Sequence, residues 1–196
     1  MDLILVHAGV GQSRPGAAFM TSIVDYRPAS ASDVPAIAGL HADSWRRNYR
    51  GAFADSFLDG HVLDDRLSVW GQRLAQPGPG QSTVVAEDDG VVVGFAHTVF
   101  DDHPTWGALL DNLHVADTVK RRGVGRALMA RTASSVLART QPTGLYLWVL
   151  EQNTAAQAFY GSLGGTDVER GFGRPPGGGR PPRIRYAWPD PAILLI

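Results

Sequence analysis

The stretch VKRRGVGRALMAR, Val119 to Arg131, gathers Lys120, Arg121 and Arg122 with Gly123 and Gly125 where an amphipathic helix begins. Val124, Leu128 and Val136 share one face of that helix, and Ala127, Met129 and Ala130 favour helical backbone. Glycine is poor inside helices, so two of them at the first turn point to close backbone approach or to angles a side chain forbids. Cations are also misplaced at the positive end of a helix dipole. An anion resolves both oddities: exposed N–H groups, the dipole and nearby guanidinium groups together make a phosphate site.

Other residues offer less chemistry. There are no cysteines, which excludes disulfides, thiolate nucleophiles and cysteine metal sites. His97, Asp101, Asp102 and His103 cluster around one turn but lack a recognised ligand spacing, so no metal is expected. A dinucleotide fingerprint needs a third glycine where Leu128 stands. His41, Trp45 and Tyr49 recur at i, i+4 and i+8, with Phe53 and Phe57 following. Such a stripe fits the wall of an apolar substrate site and a core-facing helix equally well.

The bulk numbers limit the partners. A chain of 196 residues, 44% hydrophobic, buries a real core and fits one domain. A formal charge of −1 gives no global attraction to nucleic acid or an anionic membrane. No apolar run approaches the ~20 residues of a membrane span, so a soluble, cytoplasmic protein is expected. Of the 18 basic residues only Lys120 is lysine, which with the heavy use of Ala, Gly and Pro points to a GC-rich, bacterial genome. Arginine counts are therefore weak evidence for function.

These residues need elements to position them. Residues 1–19 read as a loose extension before an alternating first strand in SIVDYRPAS. Ser32, Asp33 and Pro35 supply the start of a helix running towards Tyr49, and Leu63, Leu67, Trp70 and Leu74 mark a second one, ending near QPGPGQ. STVVAEDDGVVVGFAHTVF reads as a hairpin turning at residues 88–90, and WGALLDNLHV as a further strand. After the motif helix come a buried strand in GLYLWVL and a short helix in NTAAQAFYGSLG. TDVERGFG and RIRYAW read as paired strands around the loop RPPGGGRPP. The order is strand, two helices, three strands, helix, strand, helix, two strands: an α/β chain with a mixed sheet.

In this arrangement the chain resembles the GNAT superfamily of acetyl-CoA-dependent N-acetyltransferases, from about Ser22 to Trp188. RRGVGRAL resembles the family's pyrophosphate loop, Q/R-x-x-G-x-G/A. NTAAQAFYGSLG resembles its N-x-x-A-x-x-F-Y helix, with Asn153, Ala156, Phe159 and Tyr160 in register. The two occur in order, separated by a strand. There are two departures: Lys120 stands where Gln or Arg is usual, and Gly165 where an aromatic is common.

The resemblance implies a mixed, mostly antiparallel sheet of about six or seven strands with about four helices, splayed around acyl-CoA, in one domain at 20–190 followed by a tail at 191–196. It implies that the pantetheine arm pairs with backbone around Leu113, His114 and Val115, and that the pyrophosphate lies on Lys120, Arg121, Arg122, Gly123, Val124, Gly125 and Arg126. Tyr160, beside the sulfur, is the implied general acid; Phe159 and Asn153 also belong to the cofactor site, although Asn153 serves equally as a helix cap.

For the base, Asp111 shares a strand face with Leu113 and Val115 by the period of two, His114 pointing oppositely, and Glu151 at the end of the other splayed strand is the second candidate. Trp45 and Tyr49 would wall the acceptor. The expected activity is acetyl transfer from acetyl-CoA to an amine of a small molecule or peptide, with no metal and with homodimerisation open. The competing reading is a non-catalytic acyl-CoA sensor.

Overall fold

A computed structural model describes residues 23–141 and 144–195. The extension expected at residues 1–19 lies outside the described residues. Alternating β-branched and aromatic residues build seven strands: β1 (Val24–Pro28), β2 (Gln81–Asp88), β3 (Val91–His103), β4 (Gly107–Val115), β5 (Leu145–Leu150), β6 (Thr166–Phe172) and β7 (Pro182–Trp188). Their order across one sheet is β1-β2-β3-β4-β5-β7-β6. Every pairing is antiparallel except β4 with β5. The helices are α1 (Val34–Asn48), α2 (Val62–Ala75), α3 (Val124–Leu137) and α4 (Thr154–Ser162). This is the α/β GNAT-like fold that the resemblance implies: a seven-stranded, mostly antiparallel mixed sheet with four helices.

The apolar faces decide the layers. Leu128, Met129, Ala133 and Val136 of α3 pack with Ala96, Ala108, Leu110, Leu145 and Leu147 of the sheet into the largest core. On the other face Ile37 and Ala38 of α1 and Trp70 and Leu74 of α2 close over Val85 and Phe95. A third cluster joins Trp45 to Phe53, Phe57, Leu58 and Val62, where a π-helical turn at Phe57–His61 leads into α2. The stretch read as a tail forms a short helical turn at Pro191–Leu195, and its Leu194 is buried in the largest core.

The sheet is weakest at its one parallel junction. β4 and β5 pair only at Ala108↔Leu145 and Leu109↔Tyr146, and beyond these positions the two strands part. Among the described residues no helix is long and apolar enough to cross a membrane.

Candidate active site

The gap between β4 and β5 opens into a cavity of about 1020 Å³. Its walls include residues 109–115 and 147–150 of the two strands, the start of α3, one face of α4 from Ala155 to Tyr160, the end of α1, and the segment joining β6 to β7.

At one end the chain enters α3. Gly123 is the residue before the helix and has φ +82°, a left-handed conformation that a side chain would strain. The first helical bond runs from the N–H of Ala127 to the carbonyl of Gly123 at 3.0 Å, so the N–H groups of Val124, Gly125 and Arg126 precede any intrahelical acceptor. Gly125 serves a different need: a Cβ there would lie 3.3 Å from Cζ of Phe159, so its bare backbone lets α4 approach α3. Lys120 and Arg121 line the same end, Lys120 held by Asp117. Arg122 departs from its expected place. Its N–H donates to the carbonyl of Val119 at 3.3 Å and its guanidinium to Asp88 at 2.7 Å, and it is absent from the cavity wall.

Leu113, His114 and Val115 line the gap on β4, and Asp111 lines the same cavity, but it does not share a strand face with Leu113 and Val115. His97 pairs with Asn112 and Thr98 with Leu110, leaving Asp111 as the extra residue of a β-bulge. The bulge breaks the period of two. Asp111 and Asn112 therefore both reach Arg73 of α2, whose guanidinium donates to Asp111 Oδ2 at 2.7 Å and to Asn112 Oδ1 at 2.9 Å. On the α1 side the charge of Asp111 adds to burial in raising the pKa of Tyr49 and opposes the burial-driven fall in that of His114. His114 is buried, with its ring 4.5 Å from that of His41 and its Nδ1 2.8 Å from Ser44 Oγ; burial lowers its pKa to about 4.

Tyr160 of α4 lies on the wall, buried, with its ring 5.3 Å from Phe159 and 6.1 Å from both Tyr186 and Trp188. Burial, with Tyr49 nearby, raises its pKa and keeps the phenol protonated at neutral pH. Asn153 also lines the cavity and caps α4, its Oδ1 accepting from the N–H of Ala156 at 3.1 Å. Glu151 is exposed in the turn after β5 and is not part of the wall.

The aromatic stripe divides between its two readings. His41 is fully buried and accepts from Trp70 Nε1 at 3.1 Å, a core position. Trp45 and Tyr49 pack as stacked rings 5.7 Å apart and also face the cavity, beside Phe53. Burial, with Asp111 nearby, raises Tyr49 to about 12.

The turn cluster disperses: His97 bonds Thr83, Asp101 pairs with Arg139, Asp102 accepts from Tyr146, and His103 accepts from Thr105 and Trp106. The wall also contains residues that no sequence motif singles out. Arg66, Arg73, Trp148 and Arg183 face the cavity, as do residues 173–176 and Pro181 of the Pro/Gly-rich connection. RIRY places Arg183 and Arg185 on one face of a strand, the signal available for them, but abundant arginine hides it.

Comparison with known proteins agrees with this architecture. Residues 40–164 match the model of the Acetyltransferase (GNAT) family. Over 134 residues the chain is 28% identical to the uncharacterized N-acetyltransferase YuaI of Bacillus subtilis, covering 67% of this chain and 74% of that protein. Over 146 residues it is 30% identical to the probable N-acetyltransferase Rv2775 of Mycobacterium tuberculosis, covering 71% and 78%. The PaiA N-acetyltransferase of Thermoplasma acidophilum, solved in complex with coenzyme A, superposes with a TM-score of 0.64 at 16% identity over 85% of this chain and 99% of that one. YncA of Salmonella typhimurium, solved with acetyl-CoA, gives 0.62 at 20% identity over 86% and 94%. With the family's model matched over more than half of its length, the chain belongs to the GNAT acetyltransferase family.

Proposed function

We propose that the protein transfers the acetyl group of acetyl-CoA to a primary amine of a small molecule or peptide by direct attack of the amine on the thioester. One observation carries this reading: β4 and β5 part over a cavity with the open first turn of α3 at one end and Tyr160 on its wall. Acetyl-CoA supplies the activated acyl carbon. The N–H groups of Val124, Gly125 and Arg126, with Lys120 and Arg121, form the cradle for its diphosphate. The gap-side backbone of Leu113 to Val115 offers the pairing of a missing strand, and an N–H there polarises the thioester carbonyl.

As the amine nitrogen bonds to the carbonyl carbon and the carbon–sulfur bond breaks, Tyr160 gives its proton to the leaving thiolate. Asp111 takes the proton of the attacking nitrogen through water, while Arg73 fixes its carboxylate. Trp45 and Tyr49 wall the acceptor. Release of free CoA thiol across an amine panel tests this; acetyl-CoA binding without turnover on any amine would instead identify a non-catalytic acyl-CoA-binding protein.

A further inference from the structure

The charges around the cavity do not balance. Eight cations face it against two carboxylates, Asp111 and Asp117. Four of those cations are matched within the protein: Arg47 and Lys120 by Asp117, Arg73 by Asp111, and Arg66 by Asp65. Of the rest, Arg121 and Arg126 stand at the start of α3, where the diphosphate accounts for them. Arg174 and Arg183 stand elsewhere, on the β6–β7 connection and on β7.

Arg183 shows the imbalance most clearly. Its guanidinium lies 4.0 Å above the ring of Trp148, and its Nε is buried with no hydrogen-bond partner. Arg185, on the same strand face, sits 4.5 Å from that ring and takes the carboxylate of Glu169 at 2.6 Å. Among the described residues no carboxylate lies within ion-pair reach of Arg183. Burial and the charge of Arg185 both lower its pKa, which marks a cation short of an anion. A half-buried, unmatched guanidinium is costly unless a ligand completes it.

The acetyl-CoA arm cannot complete it, because the pantetheine that fills the gap is uncharged. We propose that Arg183 anchors a carboxylate of the acceptor, so that the acceptor is a small aminocarboxylate with an apolar body, an amino acid rather than a simple amine. A planar guanidinium with an aromatic ring beneath it matches a planar carboxylate through paired N–H donors. Trp45, Tyr49 and Phe53 offer the apolar surface for the side chain. The inference rests on the acetyltransferase reading and deepens it.

The test compares matched acceptors that differ only in the carboxylate: L-leucine against isopentylamine, L-phenylalanine against phenethylamine, β-alanine against ethylamine. In the wild type the carboxylated members should show kcat/KM at least about 10-fold higher, the scale of one charge-assisted pair. Arg183→Gln should bring that ratio close to one, mainly through KM, and Arg183→Lys should restore part of it. Stabilisation by acetyl-CoA in each variant reports folding and the cofactor site.

A second readout needs no turnover. N-acetyl-L-leucine, titrated into the CoA-loaded protein by NMR, should bind the wild type and bind Arg183→Gln at least about 10-fold more weakly. Preference for carboxylate-free amines, or a ratio unchanged by Arg183→Gln, overturns the inference while leaving the acetyltransferase intact. No turnover on any amine overturns the acetyltransferase reading, and failure of N-acetyl-L-leucine to bind the wild type overturns the anchor.

Discussion

The indole of Trp188 occupies the space that a side chain at position 165 would need: a Cβ on Gly165 would lie 2.5 Å from Trp188 Cζ2. The indole is pinned there by donating from Nε1 to the carbonyl of Leu163 at 2.9 Å. The space over position 165, where the resemblance leads one to expect an aromatic, is thus filled by an aromatic from β7. Gly165→Ala should destabilise the protein by about 1–3 kcal/mol, the usual cost of overpacking. Urea unfolding measures it, and adding Trp188→Phe should recover part of the loss.

Gly123→Val tests the diphosphate cradle. The φ of +82° at this position is hostile to a β-branched residue, so the entry to α3 must distort. Acetyl-CoA at 100 times its dissociation constant should stabilise the wild type by about 2.7 kcal/mol. Most of that gain should vanish in the variant. An equal thermal shift in both proteins would place the diphosphate elsewhere.

Tyr160→Phe removes one hydroxyl and keeps the ring that packs on Phe159 and Trp188. A proton delivered only as the thiolate departs affects the transition state and leaves cofactor binding alone. The variant should lose about 10²- to 10⁴-fold in kcat at nearly constant KM for acetyl-CoA, measured where chemistry limits turnover. Unchanged kcat there would remove Tyr160 as the acid.

Stability should depend on pH through three buried histidines. Burial holds His41 well below its ordinary value of 6.5 and lowers His97 and His114 to about 4. Between 6.5 and about 4 the unfolded chain binds protons that the folded chain refuses. Stability is therefore retained above 6.5 and lost as pH falls through this window, by up to about 1.4 kcal/mol per pH unit for each histidine. Urea unfolding at pH 7.5 and 5.5 should show the drop, with a shallower slope in His97→Gln; equal stability at both values would contradict it.

The elements are legible in the sequence because their signals are local. The i, i+3, i+7 spacing of Leu67, Trp70 and Leu74 and the turn at residues 88–90 depend on neighbours in the chain. The loop before α3 is legible for the same reason. The direction of Asp111 is not: it depends on the register of β4 on β3 and on Arg73, on a helix 38 positions earlier. Arg183 escapes for another reason: that no carboxylate among the described residues opposes it is a property of the folded surroundings, which no motif encodes. Leu194 likewise gains its place only once α3 provides a surface for the short helical turn around it.

The brief contact between β4 and β5 also has a mechanical meaning. Among the described residues, two paired positions join the β1–β4 half of the sheet to the β5–β7–β6 half. A ligand laid along the opening would act as the missing rungs between the halves, adding to the side-chain packing of α3 that already spans both. Cofactor occupancy should consequently tune the stiffness of the whole molecule, visible as slower amide exchange in β4 and β5 together, and a protein stripped of its cofactor should yield first along this seam.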